Sequence, residues 1–210
     1  MSTASDILQV AAGEVGYRES PAGSNRTKYG KWYGLDGQPW CMMFVQWVFH
    51  QAGVEKLLPV RTASCGVMMR AAKAAGAWVT KDYRPGDVVL YDFPGGGAVD
   101  HVGIVVRCDG STIIAVEGNT SVGDDSNGGA VMERRRPLQT VAGAVRPSYD
   151  GEAREMDNTP AAYAAEAVQW ARENGILFGD QSGDLKLRTP VTREQAITFL
   201  YRFAKHIEKV

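Results

Sequence analysis

Apolar residues recur at helical spacing in three stretches of the first 76 residues. Ile7, Leu8, Ala11, Ala12 and Val15 share one face of a helix predicted over residues 5–17, with Gly16 near its end. Phe44, Val45, Val48, Phe49 and Ala52 do the same in a helix predicted to open at Cys41 and stop at Gly53. A third helix takes Ser64 as its N-cap, runs to about Ala75 and ends at Gly76. Between the first two, residues 17–39 are rich in Gly, Pro, Asn and Ser and are predicted to form a long loop. After residue 76 the period changes to two. The runs "GDVVLYDF", "HVGIVVRC", "TIIAVEGN" and "TVAGAVRP" predict short antiparallel strands separated by turn residues. Helices first and strands later define an α+β fold, with the sheet backed by the early helices.

The pattern changes once more near the C-terminus. Residues 147–160 are polar and turn-rich, and beyond them the period is helical again. Thr159 is expected to cap a helix with Pro160 at its first position, closed by Asn174 and Gly175. A second helix has a capping box, Thr192 with Gln195, and runs towards Ile207. The predicted organisation is a first domain over 1–147, a linker over 148–158 and a small all-α module over 159–210. A unit of two helices has little core of its own, so it is expected to dock or to self-associate.

Composition narrows the class. The 210 residues are 44% hydrophobic and 22% charged with a formal net charge of -1, which gives no basic field for nucleic acid or an anionic membrane. Three widely spaced cysteines do not form a disulfide framework, and no CxxC or His-x-x-x-His spacing suggests zinc. The N-terminal stretch has neither the basic n-region nor the long apolar h-region of a secretion signal. No run of about twenty apolar residues is present to insert into a membrane.

The candidate chemistry centres on Cys41. A thiol becomes a strong nucleophile as thiolate, which a helix N-terminus and a nearby histidine stabilise. Cys41 opens its helix, and Pro39 just before it favours a loop-to-helix entry. His50 lies more than two turns away in the same helix, and His206 lies on a solvated C-terminal helix. His101 opens a strand after the glycine-rich stretch "FPGGGAVD". A three-residue hairpin loop over 109–111 pairs Cys108 with Thr112, puts Asn119 opposite His101 and sets Glu117 opposite Gly103, diagonal to the histidine. A two-residue loop points both side chains away. In the favourable register Gly103 and Ala115 are small enough to leave room for the end of the Cys41 helix. Cys65 and Cys108 lack comparable settings and are read as structural. The glycines at 95–97 lack the Lys-Ser/Thr of a phosphate loop, and "ERRR" at 133–136 reads as a solvated strand end.

A cysteine opening the first core helix, "HVGIVV" after a "PGDVVLYD" strand, and "VEGNTS" together resemble a CHAP domain, a papain-like fold of bacterial and phage cell-wall hydrolases. The resemblance covers about residues 1–147. It implies Cys41 as nucleophile, His101 as base, and Glu117 and Asn119 as orienting groups, acting on an amide of peptidoglycan as N-acetylmuramoyl-L-alanine amidase or endopeptidase. The Cys41 backbone N–H would help hold the oxyanion, with Gln38 as a candidate second donor. Some members bind calcium through an acidic loop before the cysteine. Here that loop holds one carboxylate, Asp36, so no metal and no other cofactor is expected.

In the tail, "AVQWA", "ENGI", "GD" and "PVTREQA" resemble an S-layer homology module over about residues 156–208. That resemblance implies binding of secondary cell-wall polymer, with Arg193 as candidate contact. The family usually packs three copies, and the single copy here predicts a homo-oligomer, a trimer or a dimer. Together the halves resemble a phage endolysin of a Gram-positive host, made in the host cytoplasm and acting at the wall after release. A catalytically silent wall-binding adaptor and a papain-like protein deamidase or transferase are the alternatives.

Overall fold

The computed structural model describes residues 4–93, 98–125, 127–149, 158–179, 185–189 and 191–207. The chain divides into two units, Met1–Glu152 and Ala153–Val210. The glycines at 95–97 and most of the predicted linker, residues 150–157, lie outside the described residues.

In the first unit the predicted helices are α1 (Ala4–Gly13), α3 (Cys41–Gln51) and α4 (Cys65–Ala74). α3 is the central one. Met42 to Val45, Val48 and Phe49 are all buried, and the helix packs on β3 (His101–Asp109) and β4 (Thr112–Thr120). Each such side chain contributes about 1.5–3 kcal/mol when fully buried. The expected long loop is corrected: it contains a short helix, α2 (Lys28–Tyr33). Thr27 Oγ1 accepts the Gly30 N–H at 2.9 Å, and Gly34, at φ 95°, returns its own N–H to the Gly30 carbonyl. Six residues with caps at both ends show no periodicity to read.

The remaining strands are β1 (Trp78–Val79), β2 (Val88–Tyr91), β5 (Ala130–Pro137) and β6 (Val141–Val145), giving one antiparallel sheet of order β1-β6-β2-β3-β4-β5. The α+β expectation holds, with β1 and β5 added to it. The outer edge of β5 is covered by the segment after α1. Gly16 N donates to the Val131 carbonyl, Val131 N to that of Tyr17, and Glu19 N to that of Gly129. The sheet has apolar side chains on both faces: Val102, Ile104 and Val116 face the helices, while Val89, Tyr91, Val105, Ile113 and Ala115 pack on the other side.

The β3–β4 hairpin corrects the register argument in its detail. Asp109 pairs with Thr112, so the loop has two residues, not three. A β-bulge between Val105 and Arg107 then inserts one residue into β3, and Gly103 pairs with Glu117 after all. The turn alone would have turned Glu117 away; the bulge restores its face. The room made for α3 also comes from elsewhere. A Cβ on Gly118 would lie 2.6 Å from Phe44 Cβ and 2.9 Å from Trp40 Cζ3, whereas Gly103 and Ala115 lie beneath Glu117 on the opposite face.

In the second unit a 3₁₀ turn over Ala162–Ala164 precedes α5 (Ala165–Glu173), so Thr159 does not cap the helix as expected. Asn158 instead accepts the Leu185 N–H at 2.7 Å. α6 (Arg193–Ile207) starts on the expected capping box: Gln195 N donates to Thr192 Oγ1 at 3.1 Å, and Thr192 N to Gln195 Oε1 at 2.9 Å. Among the described residues no helix is long and apolar enough to cross a membrane.

Candidate active site

Cys41 is the first residue of α3, reached from the loop through Trp40, whose ring stacks on Tyr29 at 5.2 Å and whose Nε1–H donates to Glu19 at 3.2 Å. That packing fixes the end of the helix, where unpaired N–H groups and the helix dipole favour an anion. The Cys41 thiol lies 4.0 Å from the carbonyl of Asp100, next to His101 at the start of β3.

Cys65 also opens a helix, α4, with Ser64 as its cap, and its thiol is close enough to that of Cys41 to shift its titration. The expectation that Cys65 lacks a comparable setting is therefore corrected; Cys108 is exposed. The pair titrates unequally. The neighbouring Cys65 thiol, then His101 and the Met42 N–H, outweigh burial and hold the Cys41 thiol well below its ordinary range. The neighbouring Cys41, with burial, pushes the Cys65 thiol far up.

His101 is fully buried, between Tyr91 and Phe93, with ring centroids at 5.9 and 5.8 Å. Its Nε2 meets Glu117 Oε2 at 3.0 Å, which leaves Nδ1, without a hydrogen-bond partner, as the nitrogen for the thiol. Burial opposes the charged ring, but the Cys41 and Glu117 charges overcome it and push His101 up to about 9. Glu117 is equally buried, and against that burial Arg136 and His101 hold its carboxyl below the usual range. Burial and the Glu117 charge keep the Tyr91 phenol neutral.

Of the six residues singled out in the sequence, the structure brings together Cys41, His101 and Glu117. Asn119 is close in sequence but committed elsewhere. At φ 59° it sits where the β4–β5 register shifts, its Nδ2 donates to Asn127 Oδ1 at 3.0 Å, and its Oδ1 accepts the Gly129 N–H at 3.2 Å. It bonds neither His101 nor Glu117, so its expected orienting role is corrected to ordering the turn before β5. Gln38 is exposed in the loop before Cys41, and Arg193 is exposed at the start of α6.

The sequence pattern conceals one residue of this cluster. Arg136, in the "ERRR" run read as a solvated strand end, is 4% exposed. Its Nε donates to Glu117 Oε1 at 2.9 Å and its Nη2 to Glu117 Oε2 at 2.5 Å. Nη1 reaches Asp125 Oδ1 at 2.6 Å, and Nη2 also lies 3.2 Å from Thr120 Oγ1 and 3.3 Å from the Asp125 carbonyl. The guanidinium lies over Phe93 at 4.9 Å. A buried carboxylate at position 117 calls for a cationic partner; inward alternation along a strand carrying three arginines is the signal that could have found it.

A thiol at a helix N-terminus, an imidazole and a carboxylate in series can perform nucleophilic acyl transfer. The CHAP domain family profile matches residues 32–119, and this part of the chain is similar to a CHAP domain. No curated protein matches the chain. Among solved structures, the endolysin LysIME-EF1 is similar at 17% identity over 83% of this chain and 87% of its own, with a TM-score of 0.43. Ly7917, solved with the hydrolyzing product of MDP, shares 18% identity over 69% of this chain and 63% of its own, at a TM-score of 0.44. A protein similar to a lipoprotein of the NLP/P60 family from Staphylococcus aureus Mu50 shares 16% identity over 70% of this chain and 42% of its own, at 0.38.

Proposed function

We propose that the chain is a cysteine-dependent peptidoglycan hydrolase that cleaves an amide of the bacterial wall, as an N-acetylmuramoyl-L-alanine amidase or an endopeptidase. The observation that carries this is the series Cys41, His101, Glu117 within a stretch similar to a CHAP domain. In this reading the Cys41 thiolate attacks the scissile carbonyl. The oxyanion forms against the Cys41 backbone N–H, and the exposed Gln38 side chain is free to turn in as a second donor. The charged His101 gives its proton to the leaving amine, then accepts one from the water that releases the acyl group. Glu117 holds the ring in place through Nε2.

The test is clearance of purified Gram-positive cell walls. Wild type and Cys108→Ser should clear them, and Cys41→Ala should not. New amino groups at the stem-peptide alanine indicate an amidase, and amino groups within the stem or cross-bridge an endopeptidase. Binding to walls without product would favour the silent adaptor, and ammonia release from protein glutamine the deamidase.

The second unit is proposed to join copies of the chain as a trimer or dimer, with Arg193 available to an anionic wall polymer. Its support is the apolar stripe of Ile197, Leu200 and Tyr201 on α6, each more than half exposed.

A further inference from the structure

The reactive series described above is a chain of alternating charges: Cys41 negative, His101 positive, Glu117 negative. Left there, a buried site would carry a net negative charge, and the least costly relief would be to protonate the thiolate. The fourth member of the chain is Arg136, which lies beyond residue 119, where the family match ends. We propose that Arg136 is a positioning residue for the reaction: it clamps Glu117 against His101 and balances its charge, so that the thiolate and imidazolium form inside a neutral cluster. The inference rests on the reading of Cys41 as nucleophile.

Three observations carry it. Arg136 holds both oxygens of Glu117 in a fork, and one of them, Oε2, is the oxygen that meets His101 Nε2. The guanidinium also stacks on Phe93, the ring that packs against His101, so one side chain fixes both the carboxylate and the wall of the imidazole slot. Finally, Arg136 is itself held from outside by Asp125, whose side chain is half exposed and shared with Arg134 at 2.9 Å.

The other titratable groups around the cluster do not supply this balance. The Cys65 thiol on α4 and the Tyr91 phenol on β2 are held neutral, and Asp100, before β3, adds negative charge. Arg134 on β5 is turned to Asp125, Thr120 and the Ser121 carbonyl. Glu117 itself is held ionised by Arg136 and His101 together.

The experiment follows alkylation of Cys41 by iodoacetamide in the full-length protein, over roughly pH 4 to 9, with each thiol read by peptide mass. The exposed Cys108 serves as internal reference. Wild-type Cys41 should react with a midpoint well below that of Cys108. Arg136→Met should move the midpoint up by about one unit, which is about tenfold slower reaction on the acidic side. Arg136→Lys, which keeps the charge and loses the fork, should recover part of the shift. In a Glu117→Gln background Arg136→Met should add little, because its effect passes through Glu117. Should Arg136→Met not keep its fold, Arg136→Gln carries the test: it keeps a donor towards Glu117 without the charge and should move the midpoint up, and an unchanged midpoint refutes the proposal. A low wild-type midpoint that Arg136→Met leaves in place overturns the role of Arg136 alone. A wild-type midpoint equal to that of Cys108 overturns the reading of Cys41 as an activated nucleophile.

Discussion

Cys41 and Cys65 each open a helix, and each shifts the other's titration, Cys41 down and Cys65 up, as a donor beside an anion would. Cys65→Ala should therefore raise the Cys41 midpoint in the same alkylation measurement by about one pH unit. A hydrogen bond to a charged group is worth about 1.5–3 kcal/mol, and one unit corresponds to about 1.4 kcal/mol. Cys65→Ser keeps a donor and should shift it less. An unchanged midpoint in Cys65→Ala would show that the thiolate is held by His101 and the helix end alone. The pH dependence has two limbs. Wall lysis should persist upward until the His101 ring loses its proton at about 9, and fail downward as the Cys41 thiolate takes one up. Stability should follow related limits. His101, raised from 6.5, contributes fully below pH 6.5 and loses that contribution as pH rises through about 9. Glu117, lowered from 4.5, contributes above pH 4.5 and loses its contribution as pH falls through its depressed folded value. Thermal melting across pH should show a maximum between these limits, and Glu117→Gln should flatten the acidic side.

At the scale of elements, two glycines on β3 and β4 separate support of the fold from support of the site. Gly118 lets α3 approach the sheet, so Gly118→Ala should lower stability by about 1–3 kcal/mol as Phe44 and Trp40 are pushed back. Gly103 lies under Glu117, where a Cβ would meet Glu117 Cγ at 2.8 Å. Gly103→Ala should cost lytic activity more than melting temperature, because it moves the carboxylate from His101. Equal losses of stability and activity in both variants would show that the site has no separate support. The elements legible in the sequence are those with several turns or alternations of apolar residues: α1, α3, α4, α5, α6 and the strands β2, β3, β4 and β6. α2 was hidden because six residues give no period, and β5 because its inward positions include a charged residue, Arg136. Its burial makes sense only once Glu117 is known to lie on the same face of the neighbouring β4, four residues along from its pair Ile113. The series Cys41, His101, Glu117 was legible because helix starts and strand registers can be counted. The β-bulge could not be counted from the pattern, since an inserted residue in a run of valines leaves no mark on hydrophobicity.

The whole molecule joins a unit with a deep core to one without. Among the described residues of the second unit, Ile176 and Leu185 are buried and Val168, Leu177, Leu187 and Phe199 half-buried, while Tyr163, Phe178, Ile197, Leu200 and Tyr201 are exposed. Light scattering on the full chain should give a trimer or a dimer, and Ile197→Glu with Leu200→Glu should return it to a monomer while the Cys41 alkylation profile stays as in wild type. A wild-type monomer at concentrations well above micromolar would remove the assembly role. The bulge at Val106 has a different consequence at this scale. β3 is buried from His101 to Val105 and exposed from Arg107 to Asp109, while the facing Ile114 and Ile113 of β4 stay buried, so past the bulge only the outer strand of the hairpin turns to solvent. The exposed Cys108, two residues past the bulge, thus offers a tether point through which the protein can be fixed to a bead or a surface, at the end of β3 opposite to His101.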